Sequence, residues 1–89
     1  MDRTMYPVDV LTVCNADGRI RPLRMRLTEN ARDPIRIDIE EILKVTEISH
    51  VGVEACVFLC RASPYGRPML FELKYTFRSH SWCLLRRIC

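Results

Sequence analysis

The sequence predicts an all-β domain, a small antiparallel barrel or sandwich of five to six strands. Three observations predict it. The stretch Met69–Arg78 alternates cleanly, with Met69, Phe71, Leu73, Tyr75 and Phe77 on one side and Glu72, Lys74, Thr76 and Arg78 on the other. That period of two is the mark of a half-buried strand. Asn15-Ala16-Asp17-Gly18 joins two β-prone runs, and an Asp-Gly pair in that place is a strong short-range hairpin signal. Turn signals then recur roughly every ten residues to the C-terminus, the spacing of short antiparallel strands.

Taken in order, residues 1–6 read as a loose arm. The first strand is expected from Pro7 to Cys14 and the second from Arg19 to Thr28. Strict alternation in the second puts Arg21, Leu23, Met25 and Leu27 on one face and Ile20, Arg24 and Arg26 on the other. Pro22 cannot donate a ladder hydrogen bond, so the strand must be at an edge there, or bulged. Glu29–Pro34 is a polar, proline-ended loop, and Ile35, Ile37 and Ile39 alternate with Arg36, Asp38 and Glu40 in a third strand. Over residues 39–48 two readings compete. Asp38-Ile39-Glu40-Glu41 has the form of a helix capping box, which allows one short helical turn. The β-branched Val45, Thr46 and Ile48 favour a strand with a bulge.

Ser49-His50-Val51-Gly52 is a turn, and Val53–Arg61 is almost continuously apolar, as a strand covered on both faces would be. Ala62–Pro68 is a loop with two prolines and a glycine. Ser79-His80-Ser81 turns the chain into a last strand, Trp82–Ile88. Short connections favour pairing in sequence order. A closed or nearly closed sheet would give Phe58, Phe71, Tyr75 and Trp82 a shared core and hide strand edges.

The stretch Asp17-Gly18-Arg19-Ile20-Arg21-Pro22-Leu23-Arg24-Met25-Arg26, followed by Ile37–Leu43, resembles a group of short, uncharacterised bacterial proteins with a D-G-x-I-x-P-x-x-x-R hairpin and an acidic-aliphatic strand. The resemblance covers about the first half of the chain. It implies an SH3-like or partly open barrel and brings no activity or site residues with it.

Composition narrows the function. The 89 residues are 48% hydrophobic, enough for one modest core and too apolar for intrinsic disorder. No apolar run approaches a membrane span, and the N-terminus lacks a leader's apolar segment. The five cysteines, Cys14, Cys56, Cys60, Cys83 and Cys89, form an odd set that fits free thiols and a cytoplasmic location. Net charge is only +3, but the middle third is acidic and the C-terminal third basic, with Arg61, Arg67, Lys74, Arg78, Arg86 and Arg87 against Glu72 alone.

A zinc site built from Cys56, Cys60, His80 and Cys83 is disfavoured. Four strand residues span roughly 13 Å, whereas zinc needs its ligands about 2.0–2.3 Å from one ion. A cysteine nucleophile at Cys83 or Cys89 lacks a base on its own face, since three residues along a strand place His80 opposite Cys83. No phosphate loop or nucleophile elbow is present. The chain is therefore expected to be non-catalytic and without a cofactor. The preferred reading is a protein-interaction module that binds a protein partner or a second copy of itself. The alternative is single-stranded nucleic-acid binding through a basic strand face, with Arg24, Arg26, Lys74, Arg78, Arg86 and Arg87 on phosphates and Tyr65 as a stacking platform.

Overall fold

A computed structural model describes residues 6–28, 33–50 and 52–88. The expected arm, apart from Tyr6, residues 29–32 of the Glu29–Pro34 loop, Val51 of the turn before the fourth run of strand and Cys89 lie outside the described residues. The domain is all-β, with two antiparallel sheets and, among the described residues, no helix beyond a 3-10 turn at Pro64–Gly66. The strands are β1 (Tyr6–Pro7), β2 (Asp9–Cys14), β3 (Ile20–Leu27), β4 (Ile35–Asp38), β5 (Glu41–His50), β6 (Val53–Ala62), β7 (Met69–Thr76) and β8 (Ser81–Ile88). One sheet has the order β1-β8-β7-β6-β5, the other β2-β3-β4.

These eight strands are six runs of chain, because two runs bend from one sheet into the other. The first bends at Val8, whose N–H donates to the Trp82 carbonyl before β2 leaves to pair with β3. That bend is why the single strand expected over Pro7–Cys14 is two, and why Tyr6 belongs to a strand and not to an arm. The second bend is sharper. Ile39 N–H donates to Leu23 of the small sheet and the next amide, Glu40, donates to Arg61 of the large one. A capping box at this corner starts no helix, since both amides are already taken by strands, and residues 41–50 form a strand with a bulge at Leu43.

Bulges also decide which side chains face inward. Leu11 pairs with Arg24 but Thr12 pairs with Pro22, so Leu23 is an extra residue on β3. The alternation changes phase there. Pro22, Met25 and Leu27 are buried while Arg21 and Leu23 are exposed, which corrects the single face expected for Arg21, Leu23, Met25 and Leu27. A third bulge at Leu85 on β8 keeps Trp82 and Leu84 inward.

The core lies between the sheets and consists of Met25, Leu27 and Ile37 from the small sheet against Phe58, Cys60, Phe71, Leu73, Trp82 and Leu84 from the large one. Phe58 and Tyr75 stack on Trp82 with ring centroids 5.5 Å and 5.0 Å away. The continuously apolar β6 is not covered on both faces: Cys56, Phe58 and Cys60 are buried, while Val57 and Leu59 stay half-exposed on the outer side. Phe77 and Arg78 lie past the end of β7, in the turn that carries His80.

The β2–β3 hairpin is stapled by Asn15, whose Oδ1 accepts from the N–H groups of Asp17 and Arg19, both at 2.9 Å. Gly18 sits there at φ 84°, where any side chain would be strained. The β6–β7 loop stores strain instead of avoiding it. Tyr65 adopts φ 56° and ψ 28°, Gly66 follows at φ 77°, and Arg67 N–H donates to Pro64 O at 3.0 Å, the pattern of a type I′ turn. That turn prefers Asn-Gly, and a left-handed L-residue costs about 1–2 kcal/mol. Tyr65 is 82% exposed and repays nothing by burial. Tyr65→Asn should therefore raise stability by about 0.5–1 kcal/mol, read from urea unfolding; a loss of stability would show that the ring makes a stabilising contact.

Candidate functional site: an open seam between two sheets

Strand β4 pairs only with residues 24–27 of β3. Beyond the Ile39–Glu40 corner β3 and β5 diverge, and among the described residues β5 pairs only with β6. The barrel is therefore open along one line, with Arg19, Ile20 and Arg21 on one wall and Ile42, Val45 and Glu47 of β5 on the other. The gap is a groove in two adjoining parts of about 350 and 370 Å³, both lined by Arg19, Ile20, Val45 and Phe58. Each is near the lower bound of ligand-binding clefts.

Val45 shows how open the seam is. It lies directly opposite Phe58 in the ladder, so both face the interior side of the sheet. Phe58 is 2% exposed, yet Val45 is 50% exposed. An inward-facing valine that remains half in water marks a stretch of inner sheet face with nothing over it. Phe77 at the far end adds exposed apolar area along the same line. The walls carry opposite charge: Arg19 and Arg21 on the β3 side, Glu47 on the β5 side. Among the described residues none of the three is in an ion pair.

Cys56 also lines the groove. Burial and then the Glu47 carboxylate push its thiol pKa up, which keeps it protonated and a poor nucleophile. Burial pushes Cys83 up as well, against an opposing pull from Lys74. His80 is engaged elsewhere, with Nδ1 3.0 Å from the Tyr75 hydroxyl. Among the described residues no group of three or more His, Cys, Asp or Glu side chains is placed to hold a metal ion. Among the described residues no helix is long and apolar enough to cross a membrane.

The basic residues singled out from the sequence do not converge. Arg24 and Arg26 lie on the outer face of the small sheet, where each reaches across a strand to a carboxylate, Asp38 at 2.7 Å and Asp9 at 2.6 Å. Lys74 and Arg86 lie on the outer face of the large sheet, and Arg86 grips Glu72 through two hydrogen bonds of 2.8 and 3.3 Å. Arg61 is held by Glu41 at 2.8 Å. Arg78 is in the β7–β8 turn, Tyr65 is on the β6–β7 loop, and Arg87 near the end of β8 is engaged as well. The seam residues Ile20, Val45 and Glu47 escaped the sequence reading. No local signal marks them, because each depends on whether a distant strand covers it.

The chain matches no protein-family model, no curated protein and no solved structure.

Proposed function

We propose that this protein is a non-catalytic interaction module whose docking site is the open seam, where an extended segment of a protein partner adds to the free edge of β5. The half-exposed, inward-facing Val45 carries this reading. An edge strand offers unpaired backbone donors and acceptors, and a groove beneath it accepts every second side chain of an added strand. The apolar floor supplies affinity and the Arg19, Arg21 and Glu47 walls supply orientation. The dispersal of the cations, with Arg24, Arg26 and Arg86 each on a carboxylate, favours this reading over single-stranded nucleic-acid binding, which needs a continuous basic track.

A displayed library of random linear peptides tests it. Selected peptides should alternate apolar residues, perturb amide resonances of β5 and Ile20, and lose at least about tenfold in affinity with Val45→Lys, a change of about 1.4 kcal/mol. Peptides that bind Val45→Lys as well as the parent protein would sink the proposal.

A further inference from the structure

We infer that the seam takes a second copy of this chain, docked groove to groove about a two-fold axis that runs along the groove. This rests on the seam being an interaction surface and names its occupant. The argument is from charge. Arg19 and Glu47 line the same part of the groove, so they stand at one level on opposite walls, and the groove holds them apart without an ion pair. A two-fold axis along the groove lays the β5 wall of each copy over the β3 wall of the other. Glu47 then meets the opposite copy's Arg19, with Arg21 next along the same basic wall, and the contact occurs twice, as an isologous interface requires. A surface that carries both signs across its own centre line is complementary to itself in that orientation. Under it Val45, half exposed in the single chain, meets the Arg19–Ile20 wall of the opposite copy. The free β5 edge, a liability in a lone molecule, is covered in the pair. A domain of 89 residues also has a small core to rely on, and burying this line adds to it.

Sedimentation equilibrium of the full chain across the micromolar range, paired with a charge swap, decides the matter. The parent protein should sediment as a dimer. Glu47→Arg alone and Arg19→Glu/Arg21→Glu together should each weaken association at least about tenfold, while far-ultraviolet circular dichroism shows each still folded. An equal mixture of the two variants should recover a heterodimer, because the reversed charges now match across the two-fold. A folded parent protein that stays monomeric throughout overturns the inference, as does a dimer indifferent to both variants or a mixture that fails to associate. A monomer that still binds seam peptides in a Val45-dependent way would overturn the second copy as occupant and leave the seam's interaction role standing.

Discussion

Replacing Trp82 by alanine should cost about 3–5 kcal/mol, the range for removing a buried aromatic ring. A domain of this size commonly holds about 5–15 kcal/mol in total, so Trp82→Ala leaves it marginal. The melting temperature should fall by on the order of 15–30 °C. Two losses combine, the packing and one hydrogen bond. The indole is 8% exposed and packs on both Phe58 and Tyr75, so its removal opens a void between rings of the same sheet. Its Nε1–H donates to Thr12 Oγ1 at 3.0 Å, a side-chain bond that ties the large sheet to β2 of the small one. Thr12 in turn directs its hydroxyl at the Val10 carbonyl, 3.4 Å away, and would lose the donor on its other side. Trp82→Phe separates the terms: it keeps a ring and removes the inter-sheet bond, and Thr12→Val removes the bond alone at about 0.5–1.5 kcal/mol. Thermal unfolding followed by circular dichroism reads all three. A Trp82→Ala variant within about 1 kcal/mol of the parent would mean that the two sheets do not depend on this contact.

The second large effect is alkaline. Burial pushes the Cys60 thiol up from 9.0 to about 11. Its side chain is fully buried, between Ile42 on β5 and Phe71 on β7. In the unfolded chain the thiol loses its proton near its ordinary value, whereas the folded chain keeps the proton to about two pH units higher. The unfolded state therefore binds fewer protons across that window, and unfolding becomes easier as pH rises. The stability contribution is complete below pH 9 and disappears on approach to pH 11, a fall of about 2–3 kcal/mol. Cys56 and Cys83 are shifted the same way by burial and add to the trend. Urea unfolding at about pH 8 and about pH 10.5 measures the fall. Cys60→Ala should flatten most of it. An alkaline slope unchanged in Cys60→Ala would assign the effect to other groups.

The same burial orders thiol reactivity. Cys14 is exposed at the end of β2 and should be alkylated in the native state, whereas Cys60 should react only when the domain unfolds. Peptide mapping of alkylated protein checks the order.

Local signals determined much of this protein. Alternation in Met69–Thr76 is the pattern of a strand with one wet face, and β7 is that strand. Asp17-Gly18 marked the β2–β3 hairpin, and the aromatic cluster of Phe58, Tyr75 and Trp82 followed from the inward side of each strand. Pro22 marked its own bulge, because a residue without an N–H is tolerated where the ladder is already interrupted. These signals are legible because period and turn chemistry act over a few residues. The tertiary structure alone decided the rest. Whether Val8 and Ile39–Glu40 would turn corners depends on which distant strand takes their hydrogen bonds, Trp82 in one case and Leu23 with Arg61 in the other. Whether an arginine is available depends on a carboxylate across a strand, so Arg24 and Arg26 read as binding residues in the sequence and are ion-paired in the fold. The seam belongs wholly to this second class. Nothing local to Val45 says that its inner face is uncovered; that follows from β4 ending at Asp38, so that β3 and β5 part and no strand among the described residues lies between them.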